Sequence, residues 1–292
     1  MSTTTANLHK RMKYAMPNSM HVYLMYAMTR RTLPRLWHPR SFSEKIQWLK
    51  MHGNLEQFTS YADKYEVRDF VKKMAGEDCL IPLIGVWDSF DEIPFNDLPN
   101  QFVMKGTHGS GYNIIVKDKK TVDREEMRQK MTNWLTQNYY HVSRETQYKN
   151  AKPRIVVEQY IEGENGDLKD YKFYFFNGKP EIILVMTERQ KGLKIDVFDM
   201  NWKQLPVIVG NYPNSKKPPQ KPKQFNELLE LATKLSTSFP MVRTDLYTAN
   251  NKVYFGELTF TPSSGLERFG DKTFDRWLGD RIDLKSYRHK IA

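Results

Sequence analysis

Three short stretches carry residues whose types and spacing could do chemistry. The first is Val103-Met-Lys-Gly-Thr-His-Gly-Ser-Gly-Tyr-Asn-Ile-Ile-Val116, in which a strand ends at Lys105, small residues run to Gly111, and a strand resumes. Backbone N–H groups approach phosphate oxygens most easily where no Cβ intervenes, and a strand-borne Lys would add charge to the same phosphates. The same residues also suit a plain Gly-rich hairpin turn. The Lys precedes the glycines, so this is not a Walker A loop, and the glycine spacing is not that of a dinucleotide fingerprint. The second stretch, Val156-Val-Glu-Gln-Tyr-Ile161, is an apolar strand passing through Glu158. Its backbone could serve an adenine edge, although a strand exit with a surface Glu is the commoner reason for such a pattern. The third is Val242-Arg-Thr-Asp-Leu-Tyr followed by Val253-Tyr-Phe-Gly-Glu-Leu-Thr-Phe-Thr. Side chains alternate along strands. An even register about Asn250-Asn251 therefore puts Arg243, Asp245, Glu257 and Thr259 on one face. Two carboxylates on adjacent strands can seat Mg²⁺ when phosphates complete its octahedron, and Arg243 could hold a transferring phosphoryl group. A surface hairpin with an Arg–carboxylate pair is the plainer alternative. A fourth feature, Asp63-Lys64 at the start of a helix, is ordinary by itself.

These residues need elements to position them. Residues 1–78 read as mainly helical. Ile46, Leu49 and Met51 recur at helical spacing after Ser43 as N-cap, and Tyr65, Val67, Phe70, Val71 and Met74 repeat the pattern in a helix from Ala62 to Met74, with Gly76 as its stop. Strands follow. Leu80 to Trp87 is an apolar run broken by Pro82, hence an edge or irregular strand. Phe102–Lys105 and Asn113–Lys117 form a hairpin around the glycines, Asp123 to Tyr139 a helix, and Arg154 to Glu158 a strand. Lys172 to Met186 is a hairpin turning at Asn177-Gly178, the strongest short hairpin signal in the chain. Residues 211–223, rich in Pro, Lys and Asn, read as an exposed loop. Phe225 to Ser238 is a helix, Met241 to Thr261 a second hairpin, and the tail from Phe269 is polar and helical or wrapped on the surface. No internal repeat is present. Hairpins with segregated helices argue for α+β rather than a doubly wound parallel sheet.

The whole chain has 292 residues, with 45 Lys and Arg against 34 Asp and Glu, a net charge of +11. With 39% hydrophobic and 13% aromatic residues it can bury a core, which excludes general disorder. Cys79 is the single cysteine, so no disulfide framework forms within the chain and a Cys-based zinc site is not expected. The expectation is a cytoplasmic protein. The basic balance suits nucleic acid, an anionic membrane or anionic small substrates. The most apolar window, Met20 to Met28, contains His21 and two tyrosines and is far too short to span a bilayer. Followed by Arg30, Arg31, Arg35 and Arg40, it reads as a helix packed on the domain or as a basic amphipathic segment resting on a membrane face.

Taken in order, Lys64, the Lys105 loop, Glu158-x-x-Ile161 and the Arg243-x-Asp…Glu257-x-Thr hairpin resemble the ATP-grasp superfamily. More narrowly, Phe42-Ser-Glu-Lys-Ile-Gln-Trp-Leu, Ala62-Asp-Lys-Tyr-Glu-Val-Arg, Lys105-Gly-Thr-His-Gly-Ser-Gly-Tyr-Asn and Tyr254-Phe-Gly-Glu-Leu-Thr-Phe-Thr-Pro are similar to the TupA-like family, named for teichuronopeptide biosynthesis and often found among polysaccharide genes. The resemblance covers roughly residues 40–285. It implies an α+β ATP-grasp fold, with two α+β subdomains sandwiching ATP: a helical region at 1–78, a lid subdomain with the Gly-rich loop at 79–160, and a C-terminal subdomain with the Mg²⁺ site at 161–292. Lys64 and Lys105 would contact ATP phosphates, and Gly106, Thr107, His108, Gly109, Ser110 and Gly111 would close over them. Glu158, Gln159, Tyr160 and Ile161 would read adenine, and Asp170 and Lys172 would lie near ribose or phosphate. Asp245, Glu257 and Thr259 would hold Mg²⁺, and Arg243 with Lys105 would act in catalysis. Thr259 stands where such ligases usually have Asn; its hydroxyl can still coordinate Mg²⁺ or bond its waters.

The implied activity is ATP-dependent ligation of a carboxylate to an amine through an acylphosphate. The acid would be a uronic acid of a surface polysaccharide and the amine an amino acid. Acceptor contacts are expected near Thr261, Ser263, Ser264, Arg268 and Arg189. Nucleic acid is not an expected partner; the localisation expected is cytoplasmic, with peripheral contact at the inner membrane face as the alternative. The alternatives are an ATP-grasp kinase, a glycosyltransferase, for which no Asp-x-Asp motif is present, and a basic binding module.

Overall fold

The computed structural model describes residues 16–189 and 191–287. The first fifteen residues of the expected helical region and the last five of the tail lie outside them. No described helix is long and apolar enough to cross a membrane.

The helices before the first strand are α1 (Asn18–Arg30), α2 (Phe42–His52), α3 (Thr59–Ala62) and α4 (Val67–Ala75). α2 turns Ile46 and Leu49 into the core, as their spacing predicts. Its cap is Ser41, not the expected Ser43. Ser41 accepts from the Glu44 amide and Glu44 reaches back to the Ser41 amide, a complete capping box. Ser43 lies within the first turn and instead bonds Asp275 through its amide and hydroxyl. The helix expected from Ala62 to Met74 is broken. Asp63 leaves helical geometry (φ −74°, ψ 126°) because its Oδ1 accepts from the amides of Tyr65 at 2.8 Å and Glu66 at 2.9 Å. That break carries Lys64 out of the helical run.

Two antiparallel sheets follow. The smaller has the order β1-β4-β2-β3, with β1 Leu83–Trp87, β2 Phe102–Gly106, β3 Asn113–Val116 and β4 Ile155–Gln159. β1 is an irregular edge strand, as Pro82 led us to expect. The larger sheet runs β10-β9-β5-β6-β7-β8, with β5 Asp170–Phe176, β6 Lys179–Thr187, β7 Lys194–Phe198, β8 Gln204–Leu205, β9 Met241–Ala249 and β10 Lys252–Thr259. β7 and β8 were not anticipated; five and two residues give too little alternation to read. The two hairpin turns have the paired positive φ that a two-residue connection needs: Asn177 at 51° and Gly178 at 75°, Asn250 at 51° and Asn251 at 57°.

The remaining helices are α5 (Arg124–Leu135), α6 (Tyr140–Ser143), α7 (Phe225–Ser236) and α8 (Lys272–Asp280). α5 is capped by Asp123 and stops short of the expected Tyr139, and α7 stops two residues before the expected Ser238. The main core joins α2, α4, α7 and α8 to the larger sheet, in which every residue of β5 is buried. A second core, including Phe90, Phe102, Met104, Met127 and Met131, lies between the smaller sheet and α5.

Candidate active site

A cleft of about 220 Å³ opens where the smaller sheet and its glycine loop face the hairpin of the larger sheet. Lys105, Glu158, Ser110 and Gly111 line it from one side, and Asp170, Lys172, Asp245 and Glu257 from the other, with Lys64 added from the break before α4 and Arg68 from the first turn of α4.

Strand register explains why the residues of the larger sheet meet. β9 pairs with β10 so that Asp245 opposes Glu257 and Arg243 opposes Thr259, and β9 pairs with β5 so that Asp245 also opposes Lys172. A bulge at Gly256 sets this register. A Cβ there would fall 2.8 Å from the Tyr247 ring and 2.9 Å from the Asp245 carbonyl oxygen, so the close approach requires glycine. Arg243 donates in fork geometry to both oxygens of Asp245, at 2.7 and 2.8 Å, and also reaches Glu257 and Thr259 at 3.1 Å. Lys172 donates to Asp245 and, at 2.8 Å, to Asp170, which Arg189 also contacts.

The two carboxylates are held differently. Burial pushes Asp245 upward against the pull of Arg243 and Lys172. Burial also pushes Glu257 upward, but Arg243, Lys172 and Lys64 outweigh it and bring the carboxyl down to about 2. Glu257 keeps 35% of its side chain exposed at the cleft, so solvent moderates that pull. Burial lowers Lys64, with Glu257 opposing.

On the other wall, Lys105 donates to Glu158 at 2.6 Å, while Arg68 donates to the second oxygen of Glu158 and to the Ile81 carbonyl, each at 3.0 Å. Lys64 donates to the carbonyl of Gly109, which ties the α3–α4 break to the glycine loop. Thr107 and His108 are buried at the base of that loop. Thr107 bonds the backbone of Arg154 and Lys152, and His108 Nε2 meets the Trp134 carbonyl oxygen at 2.9 Å.

The sequence profile of the TupA-like ATP-grasp family matches residues 44–283. The chain belongs to that family. Its two antiparallel sheets and flanking helices are thus an α+β ATP-grasp fold. A search of characterised proteins by sequence finds no significant match. Among solved structures, the chain is similar to an L-amino acid ligase from Bacillus licheniformis, at 14% identity and a TM-score of 0.43 over 72% of this chain and 43% of that one. It is similar to a D-alanine–D-alanine ligase from Bacillus anthracis complexed with ATP, at 15% identity and a TM-score of 0.46 over 80% and 68% of the two chains. It is also similar to an N5-carboxyaminoimidazole synthase from Aspergillus clavatus, at 10% identity and a TM-score of 0.40 over 70% and 45%. The chain thus spans less than half the length of the first and third of these.

Against the expected ATP-grasp site, the cleft gathers Lys64, Lys105, Ser110, Gly111, Glu158, Asp170, Lys172, Asp245 and Glu257. Arg243 and Thr259 stand behind them in the carboxylate network. Gly106, Thr107, His108 and Gly109 form the buried root of the loop and do not line the cleft. Gln159, Tyr160 and Ile161 leave the end of β4 beside it, and the Gln159 amide is taken by the Pro82 carbonyl. Of the expected acceptor contacts, Arg189 lines this same cleft and contacts Asp170, Arg268 bonds the Thr29 carbonyl, and Thr261 is buried against Glu145 and Gln147. Sequence reasoning missed Arg68. It lies in the first turn of α4, just after the break that holds Lys64. Among the described residues no cluster of three His, Cys, Asp or Glu side chains could hold a metal alone. Two carboxylates and the Thr259 hydroxyl form an all-oxygen, incomplete donor set. That fits Mg²⁺, which binds through one or two carboxylates plus substrate phosphates.

Proposed function

We propose that the chain is an ATP-dependent carboxylate–amine ligase that joins an amino acid, or another amine, to a uronic acid of a bacterial surface polysaccharide. The observation that carries this reading is the convergence of Lys64, Lys105, Lys172 and Arg243 on a cleft that also holds Asp245 and Glu257. Such a site is suited to a Mg²⁺-bound triphosphate, and chemistry of this kind proceeds by positioning and charge neutralisation rather than by a protein nucleophile. Residues 79–160 serve as the lid over ATP, 161–292 as the subdomain with the Mg²⁺ ligands, and 1–78 as a helical base. Family membership and the polysaccharide association of the family support the substrate class.

Lys105 and Lys64 would neutralise the phosphates beneath the loop, and Glu158 with residues 159–161 would bind the adenine end. Asp245, Glu257 and Thr259 would hold Mg²⁺, which supplies charge neutralisation at the phosphates. The substrate carboxylate attacks the γ-phosphorus and ADP leaves, giving an acylphosphate. The amine attacks the acyl carbon, phosphate leaves, and the amine loses a proton. Arg243 would stabilise the charge on the transferring phosphoryl group. The chain would work in the cytoplasm, where ATP is supplied.

The test is an ADP-release screen of amino acids crossed with uronic-acid glycans. ADP release that requires both partners, with an amide in the product, is expected. A stable phosphorylated acceptor in place of the amide would make the chain a kinase and sink the ligase reading.

A further inference from the structure

The helix α1 presents apolar residues to solvent. Val22, Tyr26 and His21 face the protein, and Arg30 anchors the helix end through Asp275 at 2.5 Å. The outward positions of a docked surface helix are ordinarily polar. Here they carry Met20, Leu24 and Met28, spaced four residues apart on one stripe, with Met28 68% exposed. The segment that follows adds Leu33 at 66% and Trp37 at 91%. Arg31 and Arg40 are exposed in the same segment, as is Arg35, which touches Glu44 at 3.6 Å. The charge pattern is one-sided. All 34 acidic residues lie at or beyond Glu44, while residues 1–43 hold seven Lys and Arg.

We propose that Met20, Leu24, Met28, Leu33 and Trp37, with Arg31, Arg35 and Arg40, form a docking surface for an anionic phospholipid bilayer. Apolar side chains and a Trp enter the acyl boundary while arginines meet the headgroup charge, so the two halves of the segment supply the two attractions an interfacial helix uses. The absence of any Asp or Glu among residues 1–43 means that the segment itself adds no repulsion to such a surface. The inference is independent of the ligase reading, because it concerns a face whose residues line neither the cleft nor its charge network.

The experiment is co-sedimentation of the full chain with vesicles of mixed phosphatidylglycerol and phosphatidylcholine, alongside pure phosphatidylcholine vesicles and a salt titration. The expected result is binding to the anionic vesicles that weakens with salt, with a blue shift in emission absent from Trp37→Phe. Trp37→Ser, Leu24→Ser/Met28→Ser and Arg31→Glu/Arg40→Glu should each weaken binding about tenfold or more with an unchanged circular dichroism spectrum. No binding, or equal binding to neutral vesicles without salt dependence, would overturn the proposal. So would a wild-type dimer in solution that Leu24→Ser/Met28→Ser dissociates, because the face would then belong to a second copy of the chain. The vesicle assay needs no turnover, so its failure leaves the ligase test untouched.

Discussion

At the scale of single residues, Arg68, Lys105, Lys172 and Arg189 in the cleft each have a carboxylate partner, and those pairs set what substitutions should do. Lys105→Ala removes the charge beside Glu158 but leaves Arg68 on that carboxylate. We expect ATP turnover to fall on the order of a hundredfold with little change in melting temperature, and unchanged turnover would remove Lys105 from the site. Glu257→Gln keeps the shape and loses the charge that Arg243 holds down to about 2. Its Mg²⁺-dependent activity should fall by a similar order, and full activity in a Mg²⁺ titration would move the metal elsewhere. A third residue speaks to pH. Lys50 is buried against Gln47 and Ser264, and burial lowers it to about 8 against the weaker pull of Glu145. The folded chain therefore releases this proton at a lower pH than the unfolded chain does. Its contribution to stability rises with pH from about 8 to about 10.4, by roughly 3 kcal/mol in all. Lys50→Met should flatten that rise in urea melts across the same window, and an unaltered slope would count against the assignment.

At the scale of elements, the glycine loop is set by aromatic packing as much as by its glycines. A Cβ at Gly109 would lie 2.7 Å from the Tyr112 ring and 3.0 Å from Tyr139. Gly109→Ala must push those rings aside, at a cost of about 1–3 kcal/mol, and disturb the carbonyl that receives Lys64. Weaker ATP binding by calorimetry in a chain that still folds is the expected outcome; wild-type affinity would mean that the loop root does not set the site. Elements also mark where sequence was and was not informative. Asn177-Gly178 and Asn250-Asn251 announce their hairpins, but alternation from the Asn250-Asn251 turn alone would leave Glu257 and Thr259 on the face opposite Arg243 and Asp245, and it is the bulge at Gly256 that brings the four together. The Gly256 bulge was not legible, because a glycine in a strand does not say whether it marks a bulge. Asp63 hid its break, since an Asp can cap a helix or sit within one, and the amides it binds are known only once the chain has turned. Arg68 was missed because its partner, Glu158, is 90 residues away. Ser41 lost to Ser43 in the reading because both precede an apolar run; only the reciprocal bond from Glu44 separates them.

At the scale of the whole molecule, the net charge of +11 proves to be divided unevenly. Arg68, Lys105, Lys172 and Arg243 are matched by Glu158, Asp170, Asp245 and Glu257, whereas exposed arginines of the segment from Arg31 to Arg40 face outward. The internal matching has a consequence for what can enter. A bare polyanion that captured Lys105, Lys172 and Arg243 would strand buried carboxylates without partners, and a bare divalent cation would strand the lysines and arginine. Only a guest carrying both signs can trade with both sets at once. On the proposed reading the cleft would be a double-exchange lock, in which the triphosphate would take over the cations and Mg²⁺ the acids. Nucleotide affinity should accordingly drop by about tenfold or more when EDTA removes the metal, and calorimetry with and without Mg²⁺ measures it. Equal affinity in both conditions would break the lock. The same exchange would discriminate against sulfate, inorganic phosphate and metal-free nucleotides, selecting for a paired guest before any chemistry begins.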